Sequence, residues 1–97
     1  MAEEQKFQAK ILKWLNEIEG CKAIKYPGGP YGEKGTPDII ACFGGRAILC
    51  EVKGPKTRVT RLQEVRLREW HKTGARAVLL RSPMDRQAVL MALGIEE

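Results

Sequence analysis

"PDIIACFGGRAILCEVK", Pro37 to Lys53, is the stretch that decides the fold. Ile39, Ile40, Ala41, Ile48, Leu49 and Val52 read as buried strand, and Gly44-Gly45 supply a two-residue turn between two such runs. Asp38, Glu51 and Lys53 are charged in the midst of this apolar hairpin. Burying charge is costly unless the charges are paired or hold a metal. The hairpin therefore carries more than structure.

If Gly44 and Gly45 are the turn residues, Phe43 faces Arg46, and counting outward sets Asp38 directly opposite Glu51. Opposed residues of an antiparallel pair point to one face with Cβ atoms about 5 Å apart. Two carboxylates held that close repel unless they share a proton or a cation. Lys53, two residues after Glu51, projects from the same face. Hard divalent cations such as Mg²⁺ or Mn²⁺ are bound by one or two carboxylates with waters and phosphate oxygens. A neighbouring lysine can stabilise charge on a phosphate or help deprotonate water. These parts suit metal-assisted phosphodiester hydrolysis. An Asp–Lys–Glu ion cluster at a sheet end would use the same three residues.

Outward from the hairpin, Phe7, Ile11, Trp14, Leu15 and Ile18 recur at helical spacing, predicting a helix from Glu3 to about Glu19 that Gly20 closes. "CKAIKY" is a short strand, and the glycine- and proline-rich "PGGPYGEKGTP" is loop. Thr60 caps a second helix running to about Lys72, with Gly74 as its stop. "ARAVLL" is a strand, and Ser82 as N-cap with Pro83 at the first position and Asp85 in the first turn begins a last helix that Gly94 ends. The expected order is α, β, β, β, α, β, α: an α/β sandwich around a small mixed sheet.

The 97 residues suit one domain, residues 1–97, with one core. A chain 43% hydrophobic and 30% charged is globular rather than disordered. The polar opening "MAEEQKFQAK" lacks signal-peptide character and no apolar run approaches membrane length, so the expected location is intracellular and cytoplasmic, away from any membrane. Net charge is +5, and eight basic residues against two acids fall between Lys53 and Arg76, a stripe suited to a polyanion such as nucleic acid or to a solvated helix face. Cys21, Cys42 and Cys50 form no CxxC pair and read as buried, reduced thiols. His71 has no partner histidine at ligand spacing and reads as a surface or helix-end residue.

Two further residues belong beside the hairpin. Glu4 shares the stripe of Phe7, Gln8 and Ile11, so it projects from the apolar face of the first helix, where it either serves a site or complements the helix dipole. Gln63 lies in line with Leu67 and Trp70 on the second helix.

Gly35-Thr36-Pro37-Asp38, twelve residues, then Glu51-Val52-Lys53 resembles the PD-(D/E)XK nuclease motif. With Glu4 and Gln8 in the first helix, the loop "YPGGPYGEKGTPD", the run "EVKGPKTRVTRLQ" and the closing "RS", nearly the whole chain is similar to the VRR-NUC family, the virus-type replication–repair nucleases. The resemblance implies a restriction-endonuclease-like core of order αβββαβ with an added C-terminal helix. It implies a Mg²⁺- or Mn²⁺-dependent DNA endonuclease acting on branched DNA, in the manner of the homodimeric Holliday-junction resolvases. By position, Asp38 and Glu51 would be metal ligands with the main-chain carbonyl of Val52. Lys53 would activate the attacking water and neutralise the scissile phosphate. Glu4 would be an outer ligand or hold a second ion, and Gln63 would orient the lysine or the phosphate.

Tyr31 and Lys34 in the glycine-rich loop, and Lys56, Arg58 and Arg61 after the hairpin, are expected DNA contacts. Trp14 and Trp70 are candidates for the core or for a dimer interface. Rival expectations are a non-catalytic nucleic-acid-binding module of the same fold and a basic protein–protein adaptor.

Overall fold

The computed structural model describes residues 2–97. Its elements are α1 (Glu3–Asn16), β1 (Cys21–Lys25), β2 (Ile39–Phe43), β3 (Arg46–Lys53), α2 (Arg61–Lys72), β4 (Arg76–Arg81) and α3 (Arg86–Ala92). The strands form one sheet in the order β1-β2-β3-β4. β1, β2 and β3 pair antiparallel, and β4 joins β3 in parallel through the α2 crossover. This is the mixed α/β arrangement expected from the sequence.

The β2–β3 turn is Gly44-Gly45, both at positive φ, as a two-residue hairpin of this twist requires. Phe43 faces Arg46 and Ile39 faces Cys50, so the register is the expected one and carries Asp38 toward Glu51. Strand alternation then sorts the two faces. Ile39, Ala41, Ile48, Cys50, Val52 and Leu80 meet Phe7, Ile11 and Leu15 of α1 and Val89 and Leu90 of α3 in the main core. The opposite face carries Glu51 and Lys53 and is covered by α2, which buries none of its own residues completely. Ile40, on that second face, is half-buried rather than enclosed.

Three boundaries and burials differ from expectation. α1 ends at Asn16, because that side chain leaves the helix to bind β1: its Nδ2 donates to the Ala23 carbonyl at 3.0 Å and its Oδ1 accepts from the Ala23 amide at 2.8 Å. α3 begins at Arg86 with Asp85 as N-cap, its carboxylate accepting from the Ala88 amide at 2.8 Å. Ser82 is not the cap: its hydroxyl is buried without a partner, and its amide donates to the Lys53 carbonyl at 3.0 Å. Of the cysteines only Cys50 is buried, while Cys21 is half-exposed and Cys42 exposed. Cys42 sits at an even position of β2 and so points away from the main core. Trp14 packs half-buried against the core, Trp70 is half-buried on α2, and His71 is exposed as expected.

The start of α2 is a reciprocal capping box: the Thr60 hydroxyl accepts from the Gln63 amide at 3.1 Å, and Gln63 Oε1 accepts from the Thr60 amide at 3.0 Å. Thr60→Ala removes half of this box and is expected to lower stability by about 1 kcal/mol in urea denaturation. A change below a few tenths would show that tertiary packing alone holds this helix end.

Candidate active site

Four elements converge on the C-terminal end of β3. Glu51 is 2% exposed and Lys53 7%. Lys53 Nζ stands 3.9 Å from Glu51 Oε2. Gln63 reaches in from α2, its Nε2 donating to the same oxygen at 3.5 Å, a long bond. The capping box fixes that direction, because Gln63 Oε1 is already committed to Thr60 and only the NH₂ end is left to face the sheet. Glu51 Oε1 is buried with no hydrogen-bond partner.

Asp38 comes from the residue just before β2 and is half-buried. Its Oδ2 accepts from the Val52 amide at 2.8 Å. The β2–β3 register ends at Ile39 opposite Cys50, and continued two residues further it would set Pro37 opposite Val52. Pro37 has no N–H to give, so the ladder donor that would meet the Val52 carbonyl is missing. In a strand the N–H and C=O of one residue point the same way, so the Val52 carbonyl lies on the Asp38 side without a ladder partner. Proline followed by aspartate thus ends a sheet pairing and puts a carboxylate beside a spare carbonyl.

Burial pushes the Glu51 carboxyl up to about 8, helped by the Asp38 carboxyl within hydrogen-bonding reach and by the Asp38 and Glu4 charges, while Lys53 opposes the rise. A raised Glu51 carboxyl is the response expected where burial and a neighbouring carboxylate act on one group. Glu4 is joined to the site through the turn after β3: its Oε1 accepts from the Gly54 amide at 3.1 Å. It lies near enough for its charge to be felt at Glu51 but binds backbone rather than the carboxylate pair.

Among the described residues no three His, Cys, Asp or Glu side chains converge as a metal-holding group. A hard cation needs only one or two carboxylates with carbonyl and water oxygens. Asp38, the orphaned Glu51 Oε1 and the Val52 carbonyl are such a donor set, all oxygen, and fit Mg²⁺ or Mn²⁺ by chemistry.

The expected nucleic-acid contacts surround this point unevenly. Lys56, Arg58 and Arg61 are exposed just beyond it, and Arg61 pairs loosely with Glu64 at 3.8 Å. The turn carrying Lys56 is held by Arg81, whose Nη1 donates to the carbonyls of Gly54 at 2.8 Å and Thr57 at 2.6 Å. Tyr31 is fully exposed at the tip of the glycine-rich loop. Lys34 is exposed, and its carbonyl accepts from Arg66 Nε at 3.1 Å. The loop is folded back on itself rather than a slack connection. Tyr26 Oη accepts from the Glu33 amide at 2.9 Å, and a Cβ at Gly32 would come within 2.7 Å of that oxygen.

Three residues of the site were not singled out by sequence for any role. Arg81 faces the side of Lys53 through the β3–β4 register, which requires knowing the parallel pairing. Lys25 and Gln8 line a cavity of about 410 Å³ beside Asp38. Only the four-residue spacing of Gln8 from Glu4 hinted at a place in the site. No family model matches the chain, and no curated protein matches it either.

The raised Glu51 carboxyl fixes a sign. The folded protein holds a proton there that the unfolded chain releases near its ordinary value of 4.5, so stability is full below that value and falls as pH rises toward about 8. Thermal melting of metal-free protein should therefore drop between mildly acidic and mildly alkaline pH, with the drop reduced in Glu51→Gln. Asp38→Asn should keep or raise metal-free stability, since an amide oxygen still accepts from Val52 while the repulsion is gone. It should also lose Mn²⁺ affinity by calorimetry. A large fall in metal-free stability would instead mark the cluster as a structural ion network.

Proposed function

We propose that this protein is a Mg²⁺- or Mn²⁺-dependent endodeoxyribonuclease with a PD-(D/E)XK-type core of the VRR-NUC kind, hydrolysing phosphodiester bonds in branched DNA. One observation supports this above the others: a buried glutamate with an orphaned oxygen beside a half-buried aspartate, and a buried lysine on the same strand. A purely structural cluster would be expected to satisfy its oxygens internally.

A hard divalent cation bound here supplies Lewis acidity toward a phosphate oxygen. The protein's own groups do the rest. Asp38 and Glu51 offer negative charge that Lys53 compensates only in part until a cation or proton arrives. Lys53, held at a fixed distance from Glu51 by the strand, presents an ammonium to the scissile phosphate and to the attacking water, favouring the charge that develops there. Gln63 restrains Glu51 Oε2 and so keeps Oε1 directed elsewhere. Lys56, Arg58 and Arg61, exposed along one approach, draw in and hold backbone phosphates without reading bases. The chain offers no recognition-helix motif, in keeping with selection by DNA shape. A four-way junction has two symmetric strands to cut, and a homodimer presents two matching sites.

The test is cleavage of a labelled four-way junction beside a flap, a nick and linear duplex, with Mg²⁺, Mn²⁺ or EDTA. The wild type is expected to cut the branched substrates only with metal. Lys53→Ala should cut at least roughly a hundredfold more slowly, the scale of one lost transition-state contact. Its junction affinity should remain within a few-fold of wild type. Parallel loss of binding and cutting would remove Lys53 from the chemistry. Tight binding with no cutting under either metal would favour a non-catalytic nucleic-acid-binding module.

A further inference from the structure

Two buried side-chain oxygens have no hydrogen-bond partner among the described residues: Glu51 Oε1 and the Ser82 hydroxyl. The first belongs to the carboxylate cluster. The second lies outside it, and Ser82 is only 5% exposed. A buried hydroxyl left unpaired is destabilising, and it brings a donor as well as acceptor positions to be satisfied.

The course of the chain shows which way this side chain faces. The Ser82 amide donates to the Lys53 carbonyl at 3.0 Å, so the backbone is still extended beside β3 just past the end of β4. Two residues after Leu80, Ser82 shares its face of the sheet, the face on which α1 packs. A cavity of about 150 Å³ lies there between α1 and the segment Ser82–Met84, with Ser82 in its wall. The hydroxyl oxygen is covered as it stands, but no hydrogen bond holds its rotamer, and rotation about χ1 redirects it at little cost.

The rest of the wall selects the ligand class. Lys6 and Lys10, one helical turn apart on α1, bring two ammonium groups against the single carboxylate of Glu3. The ion pairs of the described residues use Lys53, Arg61, Arg66 and Arg86, so neither Lys6 nor Lys10 is committed to an acid. Phe7, Pro83 and Met84 complete the lining and add no competing side-chain oxygen. Two point charges and a directed hydroxyl donor, in a small cleft, suit a tetrahedral oxyanion, whose charge strengthens each hydrogen bond it accepts.

We propose that the cleft between α1 and Ser82–Met84 binds a phosphate group, which accepts a hydrogen bond from the Ser82 hydroxyl and is neutralised by Lys6 and Lys10. The phosphate is inorganic or belongs to a nucleic-acid strand, and the same three side chains serve both. None of them is a side chain of the Asp38–Glu51–Lys53 cluster, so this site stands or falls independently of the nuclease reading.

The experiment titrates metal-free protein with sodium phosphate at constant ionic strength, with sodium chloride as control, and follows backbone amide shifts by NMR. Wild type should show saturable shifts confined to residues 6–10 and 82–84, absent with chloride. Ser82→Ala should weaken phosphate binding about tenfold, the effect of one lost hydrogen bond to a charged group. It should keep or raise the melting temperature without phosphate, since an unpaired hydroxyl is removed. Lys6→Gln combined with Lys10→Gln should abolish saturation, whereas Lys22→Gln, an exposed lysine on β1, should bind phosphate as wild type does. Competing oligonucleotides identify the source. Displacement only by a terminally phosphorylated strand assigns a strand end, displacement equally by a hydroxyl-ended strand assigns the backbone, and displacement by neither assigns inorganic phosphate. No saturable response beyond chloride would overturn the proposal, as would wild-type affinity in Ser82→Ala. A lowered melting temperature of Ser82→Ala would overturn it too, by showing that the hydroxyl already has an internal partner.

Discussion

Two carboxylates forced together at the end of a buried strand are the constraint on which the rest of this structure turns. Asp38 and Glu51 are opposed because a two-glycine turn sets the hairpin register, and that register cannot relax without moving Ile39, Ala41, Ile48 and Cys50 to the wrong face of the sheet. The core therefore holds the repulsion in place. The protein meets it in part by proton retention on Glu51, in part by Lys53, and leaves one oxygen of Glu51 without a partner. Such an arrangement is poor as a stabilising ion pair and well suited to receiving a cation.

The surrounding elements can be read as supports for that point. Pro37 has no N–H to offer the Val52 carbonyl, and the Asp38 carboxylate takes the Val52 amide. The capping box of α2 commits one end of the Gln63 amide and aims the other at Glu51, so a helix-start motif also restrains a site residue. α1 delivers Glu4 to the turn after β3, and Arg81 ties the same turn from β4. Each support is a hydrogen bond to backbone or a local motif, which fixes position at little cost in mobile side chains.

The helix covering the face that carries Glu51 and Lys53 is only partly embedded: α2 has no fully buried residue, and Leu62 and Leu79 remain substantially exposed. The opposite face, by contrast, is sealed by α1 and α3 around Ile11, Leu15, Leu80 and Val89. Stability is thus concentrated on one side of the sheet, while the charged cluster and its polar neighbours occupy the other. That separation lets unfavourable charge at the site persist without undermining the main core.

Element order, the Gly44-Gly45 turn, the Thr60 cap and the Phe43–Arg46 register of the hairpin were legible from the sequence because each depends on neighbours in the chain or across one tight turn. Helical spacing likewise placed Phe7, Ile11 and Leu15 in the core. The misplaced features all depend on partners distant in sequence. Asn16 leaves its helix for β1, Ser82 stays with the sheet because Lys53 is there to accept its amide, and Cys42 faces outward because no helix covers its end of β2. The same holds within the site: Glu4 meets Gly54, Gln8 is enclosed beside Asp38 and Arg81 grips the 54–57 turn only once three remote segments are packed together. Short-range geometry is written residue by residue, whereas which polar groups become buried, and with or without a partner, is settled by the packing of the whole chain.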